Sequence, residues 1–150
     1  MHQLRRIHVV WYSLIVPKIV IYTDGGARGN PGPAGAGAVI LDGEKKHELK
    51  KYLGERQTNN WAEYEAVALA LAEAKRLGLS GRALEVRMDS KLVVEQVLGN
   101  WKIKEPTLKP QVAKVRALLV DFPSFDFRYV PRAENADADR LVNEAIDEAV

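Results

Sequence analysis

The stretch KIVIYTDGGARGNPGPAGAGAVIL, Lys18 to Leu41, constrains this chain more than any other. The apolar run Ile19 to Tyr22 leads to Asp24, and six glycines and two prolines follow before the apolar pattern resumes at Ala38. That is a strand ending in a carboxylate. A phosphate-cradling loop would need a Gly-Lys-Ser/Thr ending, and a dinucleotide fingerprint would need a helix to open at once. Pro31 and Pro33 oppose a helix, so the glycines are expected to form a wide turn between paired strands. Alone, Asp24 reads equally well as a turn former, because Asp before Gly is ordinary turn chemistry.

With 150 residues, 47% of them apolar, the chain has the size of one domain able to bury a real core. Its formal net charge of +2 is compatible with a nucleic-acid partner. The absence of cysteine excludes disulfides, thiolate metal sites and a cysteine nucleophile, and it fits a reducing, cytoplasmic setting. Residues 1–17 read as an N-terminal extension ahead of a domain spanning 18–150. Arg5 and Arg6 precede the apolar run Ile7 to Val16. No small-residue cleavage site follows that run, and it is too short to span a bilayer as a helix, so no membrane association is expected. An added edge strand or a membrane-touching segment are the alternatives for this extension.

Beyond the glycine segment, Ala36 to Leu41 reads as a second strand, and Asp42-Gly43 as a hairpin turn into a third, partly exposed strand over Lys46 to Leu53. Thr58-Asn59-Asn60 suits the start of a helix that runs to about Leu77 and stops at Gly78. Stepping back from its apolar stripe at Ala66 and Val67 reaches Glu63, which therefore points toward the sheet. A carboxylate there is costly unless paired, metal-bound or beside a cleft, although Glu in a first turn also complements the helix dipole. Leu84, Val86 and Met88 alternate with polar residues in a fourth strand that again ends in a carboxylate, Asp89, before Ser90 caps a short helix. Strand, helix, strand favours parallel pairing of the first and fourth strands, which puts Asp24 and Asp89 on one sheet edge.

Trp101-Lys102-Ile103-Lys104 forms a basic, aromatic connector suited to stacking on a sugar or base while the amines meet phosphates. A helix carrying Val112, Val115, Leu118 and Leu119 follows, then a fifth strand over Phe125 to Val130, and a last helix from Asp137 to Val150. Asp139 borders the buried face of that helix; Asp137 relates similarly to Leu141, and helical spacing alone does not choose between them. The carboxylates of four elements thus converge on one sheet edge. Clustered carboxylates repel unless cations neutralise them, and an oxygen-only donor set without cysteine suits Mg²⁺ or Mn²⁺ rather than zinc.

The segments TDGGARGNPGPAGAG, TNNWAEYEAV, VRMDSKLVVEQV and VPRAENADADRLVNEA, in this order, resemble the type 1 ribonucleases H over Lys18 to Val150. The resemblance implies an α/β fold, a five-stranded mixed sheet with helices on both faces. It implies an endonuclease that cleaves the RNA strand of RNA–DNA hybrids with two Mg²⁺ ions, or Mn²⁺ in their place, and leaves 5′-phosphate and 3′-hydroxyl ends. The catalytic and metal-binding set falls on Asp24, Glu63, Asp89 and Asp139; the family's last carboxylate aligns with Asp139, four residues after Asn135. By the same resemblance, Gly25, Gly26, Asn30, Thr58, Asn59, Asn60, Trp101, Lys102, Lys104, Arg132 and Asn135 are substrate-binding residues. Backbone contacts position a duplex without reading its sequence, so little sequence preference is expected, and the protein is expected to act as a monomer.

The chain departs from the family's pattern in two places. Many members carry a histidine in a mobile loop before the last aspartate, but this loop is Pro131 to Asn135 and the histidines are His2, His8 and His47. Arg132 or Glu134 is the expected substitute. The basic protrusion that some branches carry is shortened to Trp101 through Lys104. Exonucleases with four acidic residues usually place Asp-x-Glu on the first strand, whereas Gly25 and Gly26 follow Asp24 here. A non-catalytic hybrid-binding domain is disfavoured because all four carboxylates are present.

Overall fold

The computed structural model describes residues 17–150. The expected extension therefore lies almost wholly outside the described residues. Five strands run in chain order: β1 Ile19–Ala27, β2 Gly32–Asp42, β3 Lys45–Gln57, β4 Leu84–Met88 and β5 Phe125–Tyr129. Four α-helices accompany them: α1 Asn59–Arg76, α2 Lys91–Val97, α3 Lys109–Leu119 and α4 Ala136–Ala149. Short 3₁₀ turns over Pro106–Leu108 and Arg132–Asn135 lead into α3 and α4. Among the described residues, no helix is long and apolar enough to cross a membrane.

The sheet order is β3-β2-β1-β4-β5. The first three strands form an antiparallel meander, while β1 pairs with β4, and β4 with β5, in parallel. This is the mixed, five-stranded sheet that the resemblance implies, and the parallel β1–β4 pairing is the one expected from the strand-helix-strand pattern. Ile19, Ile21, Ala38, Ile40, Val86 and Met88 face one side, where they join Tyr64, Val67 and Leu71 of α1 and Val112 and Val115 of α3 in one buried cluster. The other side of β2 packs against α4, whose buried residues Leu141, Val142, Ala145 and Ile146 form its apolar stripe.

The glycine segment is not a wide turn. β1 continues to Ala27 and β2 begins at Gly32, so Asp24 pairs with Gly37, Gly25 with Ala36 and Gly26 with Gly35. The glycines are there for the helices above and below the sheet. A Cβ on Gly25 would lie 2.1 Å from the Ala62 carbonyl oxygen of α1, and one on Gly37 would lie 2.5 Å from the Ala138 carbonyl oxygen of α4. Both helices thus seat directly on the strand backbone beside Asp24, bringing their own carboxylates to its end.

Local chemistry fixes where those helices start. The Thr58 hydroxyl accepts from the Trp61 N–H at 3.2 Å and the Ser90 hydroxyl from the Val93 N–H at 3.3 Å, so α1 and α2 open immediately beside the carboxyl ends of β1 and β4.

Candidate active site

Asp24 sits near the end of β1, Glu63 in the first turns of α1, and Asp89 just past β4. One carboxylate oxygen from each lies within 4.8 Å of the others, so this triad could hold a metal ion. Asp24 and Glu63 are both buried. Glu63 Oε1 accepts from the Gly25 N–H at 3.3 Å, while its Oε2 is buried with no hydrogen-bond partner. An orphaned, buried carboxylate oxygen beside two other carboxylates is the arrangement a hard cation would satisfy.

The electrostatics agree. Burial pushes the Asp24 carboxyl up to about 7; the neighbouring Glu63 carboxyl opposes the rise, and the nearby Asp89 and Asp139 charges add to it. Glu63 is likewise driven well above the ordinary carboxylate range, first by burial and then by the Asp24 charge. Without a neutralising partner, the pair cannot both remain ionised at low cost.

Asp139 lies outside the triad but lines the same cavity, of about 390 Å³, with Asp24, Glu63 and Asp89. Asp137 turns away and meets Lys46 of β3 at 3.4 Å. The structure thereby separates the two aspartates that helical spacing left equivalent. Arg132 also lines the acidic cavity, with its guanidinium 3.9 Å from Asp139, whereas Glu134 lines a different cavity with Tyr22, Lys46 and Asp137. Of the two candidate loop residues, only Arg132 faces the carboxylates.

The expected substrate residues divide into three groups. Asn60 lines both the acidic cavity and a larger groove of about 860 Å³, whose other residues include Asn30, Thr58, Trp101, Lys102 and Lys104. Trp101 is exposed, and Lys102 and Lys104 have no acidic partner among the described residues. Asn30 and Asn59 have side-chain carbonyls already in use: Asn30 Oδ1 accepts from the Asn59 N–H at 3.0 Å, and Asn59 Oδ1 from the Ala27 N–H at 2.7 Å. Their amide NH₂ groups are what they can offer a ligand. Gly26 lines the acidic cavity, but the Gly25 N–H is spent on Glu63.

Asn135 departs furthest from its expected role. It is 1% exposed, and its amide donates to the Thr23 carbonyl at 2.8 Å and to Asp89 Oδ1 at 2.9 Å. It supports Asp89 from beneath and has no surface for direct substrate contact.

Two residues of the cavity wall escaped the sequence reading. Arg28, in the β1–β2 turn, donates to the Asn143 side chain at 3.1 Å and pairs with Asp147 at 2.6 Å, tying that turn to α4. Asn143 follows Asp139 by one helical turn and donates back to its carbonyl at 3.0 Å. That i, i+4 spacing was the available signal.

A family profile described as "Reverse transcriptase-like" matches residues 22–145. The chain is 47% identical over 135 residues to the bifunctional protein Rv2228c of Mycobacterium tuberculosis, covering 88% of this chain and 36% of that protein. It is 42% identical over 134 residues to the ribonuclease HI of Halobacterium salinarum, covering 88% and 66% respectively. The chain thus spans about a third of the mycobacterial relative's length. Among solved structures, LC11-RNase H1 in complex with an RNA/DNA hybrid superimposes with a TM-score of 0.83 at 51% identity, covering 88% of this chain and 99% of that one. With its mixed five-stranded sheet, its buried carboxylate triad and these relatives, the chain belongs to the reverse transcriptase-like family and, within it, to the type 1 ribonucleases H.

Proposed function

We propose that this protein is an endonuclease that hydrolyses the RNA strand of RNA–DNA hybrids with divalent cations, acting as a cytoplasmic monomer. The observation that carries the reading is the Asp24–Glu63–Asp89 triad, with ligand oxygens within 4.8 Å and one buried oxygen unpartnered. The donor set fits Mg²⁺, with Mn²⁺ as the alternative, because every available ligand is a hard oxygen. Asp24, Glu63, Asp89 and Asp139 are the residues that would hold two such ions. Bound there, the ions would supply acidification of water and neutralisation of charge at phosphorus.

The chain's own residues do the rest. Asp24 and Glu63 are held on β1 and α1, elements locked together by the close approach at Gly25, so the carboxylates do not reorganise when substrate arrives. Arg132 offers a cation beside Asp139, in reach of a phosphate entering the cavity. The cationic and amide-lined groove continues from the acidic cavity through Asn60 and suits the backbone of a duplex's second strand. The expected products carry 5′-phosphate and 3′-hydroxyl ends, with little sequence preference.

The test compares labelled RNA–DNA hybrid, double-stranded RNA and single-stranded RNA in Mg²⁺ and in Mn²⁺, with Asp24→Asn as control. Hybrid cleavage that disappears in the variant is the expected result. Binding without cleavage in either metal overturns the catalytic reading, and equal cutting of single-stranded RNA overturns hybrid specificity.

A further inference from the structure

One wall of the larger groove is the Trp101–Lys104 connector, which belongs to no helix or strand. An irregular segment that carries an exposed tryptophan and two solvent-facing lysines needs something to hold it against a ligand. The side chain of Gln96 does so. It lies near the end of α2, is 3% exposed, and uses both ends of its amide. Nε2 donates to the Lys102 backbone carbonyl at 3.2 Å, and Oε1 accepts from the Tyr64 hydroxyl at 2.6 Å. The Lys102 carbonyl can only accept, which fixes the NH₂ group toward it and the amide oxygen toward Tyr64.

Tyr64 is fully buried in α1, next to Glu63. Its hydroxyl hydrogen is committed to Gln96 Oε1, since an amide oxygen can only accept. Arg116 of α3 in turn donates to the carbonyls of Gln96 at 3.1 Å and Val97 at 3.5 Å, holding the end of α2 in place. A continuous chain of hydrogen bonds therefore runs from the helix that carries Glu63, through Tyr64 and Gln96, to the connector.

Resting on the nuclease reading above, we infer that Gln96 is a positioning residue for nucleic acid: with Tyr64, it holds the Trp101–Lys104 wall in register with the carboxylates, so that a duplex backbone gripped there presents its partner strand to them. Gln96 lines the groove, but it is almost wholly buried and both ends of its amide are already bonded to protein. Its effect passes through the connector, and it is felt in binding rather than in the chemical step.

The experiment uses the full chain and a short labelled hybrid, with Kd measured by fluorescence anisotropy in chelator and KM and kcat measured in Mg²⁺. Gln96→Glu keeps the acceptor for Tyr64 but faces the Lys102 carbonyl with an oxygen. It is expected to raise Kd and KM about tenfold while kcat stays within about twofold, since losing a buried hydrogen bond costs on the order of one such factor. Tyr64→Phe, which deletes a single hydroxyl, shifts both in the same direction by about threefold and decides the matter if the first variant does not fold. In a Trp101→Ala, Lys102→Ala, Lys104→Ala background, Gln96→Glu adds less than about twofold, as expected when two changes act through one element. An unchanged Kd, a fall in kcat at constant KM, or a full-sized effect in the triple background overturns the inference. Failure of the wild-type protein to cut the hybrid would sink the nuclease reading instead, and the Kd series would still decide the role of Gln96.

Discussion

Asn135 donates an amide hydrogen to Asp89 at 2.9 Å from a position where the Asn135 side chain is almost wholly buried. The same NH₂ group reaches the Thr23 carbonyl on β1, so one side chain couples the ends of the two parallel strands that carry Asp24 and Asp89. Replacing it with aspartate removes both donors and puts a like charge beside Asp89. Asn135→Asp is expected to lower kcat on a hybrid by about 10- to 100-fold, the usual range for a group that orients a ligand carboxylate. A Mg²⁺ titration of activity checks it; a variant with wild-type activity and metal dependence would show that Asp89 needs no such support.

The close seating of α1 on β1 leads to a graded prediction about glycines. Gly25→Ala would drive a methyl to within 2.1 Å of the Ala62 carbonyl, a backbone atom that cannot give way without shifting α1 and Glu63 with it. A loss of more than about 3 kcal/mol is expected, with activity lost as well. Gly43→Ala, by contrast, meets nothing within 4 Å and bears only the strain of a left-handed φ of +59°, so it should cost about 1 kcal/mol. Urea unfolding of the two variants separates them, and equal losses would disprove the packing argument.

Those glycines also mark what the sequence could and could not convey. The strands, the helices, the parallel β1–β4 pairing and the convergence of Asp24, Glu63 and Asp89 follow from periodicity, caps and turn residues, because these are local signals. Glycine in a strand, however, reads the same as glycine in a turn until the element stacked on it is known, and Gly25 and Gly37 are contacted by helices far away in the chain. The fate of Asn135 was hidden for the same reason. A polar residue before a helix signals a cap or a surface contact, and only the tertiary arrangement shows its amide turned inward onto Asp89. Asp137 and Asp139 both border the apolar stripe of the last helix, from opposite sides, and only the tertiary arrangement shows Asp137 beside Lys46 of a distant strand and Asp139 lining the acidic cavity.

A third buried carboxylate, outside the candidate active site, sets a pH dependence. Glu85 of β4 is 1% exposed; burial alone would raise its pKa, but hydrogen bonds from Lys18 and Arg87 outweigh it and hold the carboxyl below its ordinary 4.5. Arg128 adds a third cation at 3.5 Å. A carboxyl with a depressed folded pKa contributes stability above its unfolded pKa and loses that contribution as pH falls through the folded value. Its partners are partly exposed and can rehydrate, so Glu85→Gln is expected to cost about 1–2 kcal/mol near neutral pH. The difference from wild type should fade as pH falls below the ordinary 4.5 and through the lowered folded value. Denaturant unfolding over that range tests it, and a penalty that persists in acid would assign the cost to packing rather than charge.

Asp24 runs in the opposite sense. Its folded pKa of about 7 lies above the ordinary 3.8, so the metal-free folded state holds a proton that the unfolded chain has already released. The stability this carboxyl contributes is complete below its unfolded value and drains away as pH climbs through about 7. Asp24→Asn imitates the protonated form permanently. In chelator the variant should therefore be more stable than wild type by up to about 4 kcal/mol near pH 8 and nearly equal to it near pH 3, below the ordinary carboxyl value, while its activity is expected to be lost. Millimolar Mg²⁺ should narrow the gap, because a cation that binds only the folded wild-type site stabilises it by mass action. Thermal unfolding at the two pH values, with and without Mg²⁺, gives the four comparisons needed. A variant less stable than wild type near pH 8 in chelator would mean that the carboxylates are already neutralised by the protein itself, and the case for cations in this cluster would fall with it.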